Sequence, residues 1–244
     1  LTRAVTRGNG REGELVTANL RTIPSVPLRL RTHDRPAPAL VALRGEVLMY
    51  ISDFQDFNAG RVKSGEDPYA SPRNTAAGSV RQLDPRVTAS TKLDVLVYDV
   101  LAVEGETFRS DTEGVEAIRQ WGFKFPERIE VAGSVEEILE YHAAFAAQRD
   151  QLDYEIDGIV IKLDDLSMRS AVGATSHHPR WALAVKFEPR QEITRIDRID
   201  INVGRTGVLT PVAILRPVVV GGVTVSRASL HNREELKRKD LREG

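Results

Sequence analysis

Four short apolar runs rich in Val, Ile and Leu, at 40–50, 92–103, 158–163 and 181–187, punctuate the first three-quarters of the chain. Their composition predicts buried strands. Between them the hydrophobic positions change to helical spacing. Ser134 and Glu137 form a capping-box pair, and Val135, Ile138, Leu139, His142, Phe145 and Ala146 then trace one helical face. Asp111 is placed to cap a second helix that buries Val115, Ile118 and Trp121 and stops at Gly122. Ser52 is placed to cap a third, around Phe54 and Phe57.

After Pro189 the pattern turns to strands and tight turns: 198–203, 209–215, then Val218-Val219-Val220 and Val223-Thr224-Val225 around Gly221-Gly222. Two β-branched triplets around Gly-Gly predict a tight hairpin. The expected division is therefore residues 1–191, a unit of helices and strands, and 192–244, the opening strands of a small β-barrel ending in a charged helix-like stretch. About 50 residues are too few to close a barrel, so the second unit is expected to be truncated.

Composition changes this picture little. The chain has 244 residues, 41% hydrophobic and 28% charged, the profile of a soluble globular protein. Its net charge of -1 conceals +3 over residues 1–100, -7 over 101–190 and +3 over 191–244. Mildly basic ends permit contact with a polyanion without establishing it. There is no cysteine, which excludes disulfides and thiolate zinc sites within the chain and makes a cytoplasmic location the expectation. No apolar stretch suits a membrane span or a signal peptide. The first residue is Leu, not Met, so a missing amino terminus is expected.

Several charged residues interrupt apolar or glycine-rich frames, where a charge is costly without a partner. Glu46 breaks an apolar strand in Arg44-Gly45-Glu46-Val47 and could accept two ribose hydroxyls; pairing with Arg44 or facing water is the plain alternative. Lys162 and Lys186 each close an apolar strand, and two such lysines flanking one cleft would suit a phosphate, unless each merely snorkels to the surface. Arg73 and Arg81 bracket a small-residue segment in which Asn74 can cap a short helix; they suit a phosphate-rich partner or ordinary carboxylate pairs. Arg7 in Thr6-Arg7-Gly8-Asn9-Gly10 and Arg205 in Gly204-Arg205-Thr206-Gly207 sit in turns, which alone read as plain hairpin corners. His177 and His178 read as loop residues rather than metal ligands, and no metal site is expected. Walker-type, Gly-x-Gly-x-x-Gly and Ser-His-Asp patterns are absent, which disfavours P-loop ATPases, Rossmann dehydrogenases and ordinary hydrolases.

Seven blocks in one order carry a closer likeness: Thr-Arg-Gly-Asn-Gly (6–10), Arg-Gly-Glu-Val (44–47), Ser-Pro-Arg-Asn-Thr-Ala-Ala-Gly-Ser-Val-Arg-Gln-Leu-Asp-Pro (71–85), Ile-Asp-Gly-Ile-Val-Ile-Lys (156–162), Pro-Arg-Trp-Ala-Leu-Ala-Val-Lys-Phe (179–187), Val-Gly-Arg-Thr-Gly-Val-Leu-Thr-Pro-Val-Ala (203–213) and Leu-His-Asn (230–232). Together they resemble the bacterial NAD-dependent DNA ligases over essentially the whole chain. The resemblance implies an α+β fold: a nucleotidyltransferase, ATP-grasp-like adenylation domain with mostly antiparallel sheets, then part of an oligonucleotide-binding (OB-fold) barrel. It also implies NAD and Mg²⁺, nicked double-stranded DNA as partner, and a monomer acting in replication and repair. In that family a lysine of a Lys-x-Asp-Gly motif takes AMP from NAD and passes it to the 5′-phosphate of the nick, which the 3′-hydroxyl then seals. By matching motif, Glu46 corresponds to the ribose-binding carboxylate, Lys162 and Lys186 to the lysines at AMP and its α-phosphate, and Arg7 to an NAD-pocket residue. Arg73, Arg81 and Arg205 correspond to DNA contacts.

The chain departs from the family in one decisive respect: no lysine stands in a Lys-x-Asp-Gly motif. Lys92-Leu93-Asp94-Val95 comes nearest, but it lies on the wrong element for in-line attack and reads as a decoy. The chain alone is therefore expected not to adenylate itself. Asn9, Ser71 and His177-His178 also replace the usual residues, and zinc is expected only in a downstream region not contained here. Two rival readings remain at this point: a nicked-DNA-binding module without chemistry, and an ATP-dependent nucleotidyltransferase.

Overall fold

The computed structural model describes residues 1–10, 12–175, 178–220 and 223–244. The chain divides into two units, Leu1–Phe187 and Glu188–Gly244.

The first unit is organised by two antiparallel strand pairs. Strand β1 (Leu40–Leu48) pairs with β2 (Asp94–Glu104), with irregularities at Ala42/Leu43 and Arg44/Gly45; β3 (Gly158–Lys162) pairs with β4 (Ala182–Lys186). Alternation along β2 turns Val95, Val97 and Asp99 inward, and Val95 and Val97 join Met49, Phe54, Ala76 and Ile118 in the core. Around the sheets run α1 (Thr17–Leu20), α2 (Ile51–Lys63), α3 (Pro72–Val80), α4 (Pro85–Ser90), α5 (Asp111–Gln120), α6 (Val135–Gln148) and α7 (Leu166–Val172). Helix α5 packs on β2, and its Ile118 is fully buried. So is Trp121, just after the helix; the chain then turns at Gly122, whose φ of 94° suits glycine.

Three expected caps move. Ser110, not Asp111, caps α5 by accepting from the Glu113 N–H at 3.1 Å, which releases the Asp111 carboxylate for other work. Ser71, not Asn74, caps α3, with Pro72 in the first turn where a missing N–H does no harm. Ser52 lies inside α2, and Asp153 supplies the cap from 101 residues away: its Oδ1 accepts from the Ser52 N–H at 2.9 Å and its Oδ2 from the Ser52 hydroxyl at 2.6 Å. In α6, Ser134 accepts from the Glu137 N–H as the capping box requires, but the Glu137 side chain accepts from Gly133 N–H instead.

The strands are also less buried than their composition suggests. Each pairs with a single neighbour, and Val160 and Leu183 on β3 and β4 remain 65% and 61% exposed. Helix α6 likewise leaves Val135 and Leu139 in solvent.

The second unit is a three-stranded antiparallel sheet, β5 (Ile196–Val203), β6 (Leu209–Val220) and β7 (Val223–Ser229), followed by α8 (Arg233–Arg238). The expected runs 209–215 and 218–220 are one strand with an irregularity between Ile214 and Val218. The expected Gly221-Gly222 turn lies outside the described residues, and Val220 pairs with Val223 on either side of it. Among the described residues no helix is long and apolar enough to cross a membrane.

Candidate functional site

The antiparallel register decides which candidates share a surface. Gly158 faces Lys186 and Lys162 faces Ala182, so Gly158, Val160 and Lys162 lie on one side of the pair together with Lys186, Ala184 and Ala182. The two lysines thus point the same way from opposite ends of the sheet, about 14 Å apart by strand rise. Between them lies a floor of exposed Val160 and Ala184. Gly158 is obligatory there, because a Cβ would stand 2.3 Å from the Val185 carbonyl oxygen.

Lys162 is the more enclosed of the two. Its ammonium donates to the Tyr98 carbonyl at 3.3 Å, Asp99 Oδ1 at 3.2 Å and Asp111 Oδ2 at 3.3 Å, and lies 5.9 Å from the centre of the Tyr98 ring. Asp99 also meets Arg44 at 3.7 Å, while Asp111 Oδ1 approaches Arg169 at 2.8 Å. Arg169 in turn donates from Nε to the Leu163 carbonyl at 2.6 Å and lies 4.2 Å over the Trp181 ring. This cluster ties the end of β3 to the middle of β2, the start of α5 and the middle of α7.

Glu46 lies opposite Leu96, two residues from Tyr98 and on the same face of β2. It is exposed rather than packed among apolar neighbours, on a strand that pairs only with β2 among the described residues. Arg44 lies 3.7 Å from Asp99, and of the two plain alternatives for Glu46 the structure shows the one that faces water, not the pairing with Arg44. The half-buried Tyr98 phenol is pushed up by burial first and then by the charges of Glu46 and Asp99, against the opposing pull of Arg44 and Arg7. That balance places Arg7 and Glu46 within electrostatic reach of one aromatic ring.

Lys186 is exposed and holds Asp157 Oδ2 at 2.7 Å. This hydrogen bond, outweighing partial burial and helped by the charges of Lys186 and Arg73, holds the Asp157 carboxyl below its usual range. Arg73 therefore belongs electrostatically to the Lys186 end of the face. Arg81 instead pairs through Nε with Glu14 at 2.9 Å, beside an open depression of about 320 Å³ lined by Thr6, Gly8, Asn9, Glu12, Gly13 and Glu14. Asn9 Oδ1 there accepts from the Glu12 N–H, a bond an aspartate could also make. Gly8 and Gly13 carry this hairpin because a Cβ would meet backbone oxygen at 1.7 Å and 2.0 Å.

In the second unit Arg205 sits in the Gly204–Gly207 turn between β5 and β6, closed by the Gly204 N–H to the Val208 carbonyl at 2.8 Å. Lys92 is spent in a surface ion pair with Asp53 at 2.8 Å, and its neighbour Asp94 is buried among Tyr50, Lys124 and Ser25. No cluster of three metal-ligating side chains occurs among the described residues; His177 lies outside them, and His178 closes a small turn with Thr175.

Residues 1–190 match the family model for the NAD-dependent DNA ligase adenylation domain, and residues 193–244 match that for the NAD-dependent DNA ligase OB-fold domain. The chain belongs to the NAD-dependent DNA ligase family. Similar curated relatives are a DNA ligase of Geobacter sulfurreducens, 50% identical over 244 residues, and one of Alkalilimnicola ehrlichii, 49% identical over 244 residues. Another, from Salinibacter ruber, is 46% identical over 245 residues. Each alignment covers all of this chain and 36% of the relative, so the chain spans about a third of a ligase of that kind. In family terms, the Glu46, Tyr98, Lys162 and Lys186 surface lies within the adenylation segment and Arg205 within the OB-fold segment.

Proposed function

We propose that this chain is the nucleotide- and nick-engaging part of a DNA ligase that consumes NAD, with Mg²⁺, to seal 5′-phosphate/3′-hydroxyl breaks in duplex DNA. The observation that carries the reading is the shared face of β3 and β4, with an ammonium at each end and an exposed apolar floor between. An AMP moiety fits such a surface. Tyr98 offers a flat face for a base, exposed Glu46 can accept ribose hydroxyls, and Lys162 and Lys186 line the two ends of the AMP site, with Lys186 placed to meet the phosphate at the end away from Tyr98. Preorganised cations at a phosphate are what nucleotidyl transfer requires, because charge accumulates on its oxygens. Mg²⁺ would ride on the phosphates and their waters rather than in an all-protein cage.

Arg73 and Arg81 at the ends of α3, and Arg205 on the second unit, are read as contacts to the DNA backbone, which set affinity and register rather than sequence. The reading includes a division at 191/192, action as a monomer, and a cytoplasmic location. The lysine that forms the covalent bond to AMP is not among these 244 residues, because none stands in a Lys-x-Asp-Gly motif.

The test joins to the chain a ligase segment that carries a Lys-x-Asp-Gly motif and measures sealing of a nicked, 5′-phosphorylated duplex. Sealing with NAD and Mg²⁺ but not ATP is expected, while the 244-residue chain takes up no label from NAD. Sealing driven by ATP would move the protein to another nucleotidyltransferase class. Salt-dependent nick binding with no sealing in either form would leave a binding module.

A further inference from the structure

Arg81 follows the last turn of α3 with its side chain largely in solvent, and its nearest acidic partner is Glu14, whose Oε2 lies 2.9 Å from Nε. A guanidinium carries one N–H on Nε and four on Nη1 and Nη2. Those four make no hydrogen bond among the described residues, and paired N–H groups of this kind are what grip a phosphate. Glu14 and a phosphate can therefore share one guanidinium, the carboxylate at Nε and the phosphate across the two Nη groups.

Glu14 is itself held. Its N–H donates to the Thr6 hydroxyl at 3.0 Å and its carbonyl accepts from the Thr6 N–H at 3.0 Å, so the hairpin fixes its backbone from both sides. Glu12 lines the same depression but forms no ion pair with Arg81. Of two neighbouring carboxylates, one touches the guanidinium and the other contributes only its charge.

We propose that Glu14 is a positioning residue for Arg81, holding Nε so that the terminal N–H groups are aimed at a phosphate of the nicked duplex. A free, exposed arginine must give up its rotamer freedom when it binds, whereas one already held by an acceptor has less to lose. This inference rests on the reading of Arg81 as a DNA contact. It predicts a sign opposite to that of charge alone. Removing an acidic side chain beside a polyanion strengthens binding by simple electrostatics, but removing Glu14 should weaken it.

Fluorescence anisotropy of the 244-residue chain with a nicked, 5′-phosphorylated duplex at fixed salt reads that sign. Glu14→Ala should bind about two- to fivefold more weakly, the scale of one exposed ion pair. Glu14→Gln loses the charge but keeps an acceptor for Nε, and should recover part of the loss. Glu12→Gln, which removes charge from the same depression, should bind at least as tightly as the unaltered chain. In an Arg81→Ala background Glu14→Ala should no longer weaken binding, whereas a folding defect would weaken it in both backgrounds. If Arg81→Ala alone leaves affinity unchanged, or the unaltered chain binds no nicked duplex, the DNA role of Arg81 falls and the positioning with it. If Arg81→Ala weakens binding while Glu14→Ala tightens it, leaves it unchanged, or weakens it equally without Arg81, the positioning role alone is overturned.

Discussion

Replacing Asp94 by asparagine should cost the first unit about 2 kcal/mol at neutral pH, the worth of one charge-assisted hydrogen bond in a buried setting. The carboxylate is only 5% exposed. It accepts from the Tyr50 hydroxyl at 2.9 Å, the Lys124 ammonium at 2.5 Å and the Val95 N–H at 2.8 Å. Asparagine keeps an acceptor for Val95, and the Tyr50 hydroxyl can turn to accept from its amide. The Lys124 ammonium, however, would then face an amide donor. Lys124 is 55% exposed, so water recovers part of the loss, which places the cost in the lower half of the usual range of about 1.5–3 kcal/mol.

The same contact predicts a pH signature. Burial opposes ionisation of Asp94, but hydrogen bonds from Lys124, Ser25, Val95 and Tyr50 outweigh it and hold the carboxyl below its ordinary value. Burial and that carboxylate in turn push the Tyr50 phenol up to about 12. A depressed folded pKa contributes stability that is present above the unfolded value, about 3.9, and is lost as pH falls through the folded value. The gap between wild type and Asp94→Asn should therefore be full at pH 7 and close on acidification below about 3.9. Urea unfolding followed by tryptophan fluorescence reads this directly, because Trp121 and Trp181 both lie in the first unit. A gap below about 0.5 kcal/mol at pH 7, the scatter of neutral surface substitutions, or one that persists in acid would refute the reasoning.

Three further outcomes follow from single contacts. Asp153→Ala removes the remote cap of α2 and should lower stability by about 1 kcal/mol, whereas Ser52→Ala, expected from sequence to be the cap, should cost less; denaturant midpoints compare them. Gly158→Ala forces a Cβ to 2.3 Å from the Val185 carbonyl oxygen and should part β3 from β4, seen as faster amide exchange at Ile159 and Ile161 than at Val95 and Val97. Arg73→Ala should reduce the slope of log affinity against log salt for a nicked duplex by about 1, the signature of one lost phosphate contact; an unchanged slope would remove Arg73 from the DNA surface.

Much of the frame was legible because it is written in local periodicity. The apolar runs found all four strands of the first unit, and Ser134 with its helical stripe found α6. The cap of α2 was not legible: Asp153 lies 101 residues from Ser52, and nothing near either residue announces the contact. Two other caps were readable in hindsight, since Ser71 precedes Pro72 and Ser110 precedes an acidic first turn, both ordinary marks of a helix start. At the site, the reasoning that drew attention to Lys162, a charge at the end of an apolar run, applies equally to Asp99 inside Val97-Tyr98-Asp99-Val100. Its pairing with Lys162 depends on two sheets meeting, which one-dimensional spacing does not encode. That both lysines share a face was likewise set by strand register rather than by their separation in the chain.

The central claim is that AMP lies along the β3–β4 face between Lys162 and Lys186, beside Tyr98 and Glu46. Titration of the isotopically labelled chain with AMP, followed by NMR, tests it most directly. The account predicts shifts concentrated at Glu46, Tyr98, Val160, Lys162, Ala184 and Lys186, reduced by Lys186→Ala and Glu46→Ala. Shifts confined to the Thr6–Glu14 hairpin or to the second unit, with the β3–β4 face unmoved, would contradict it.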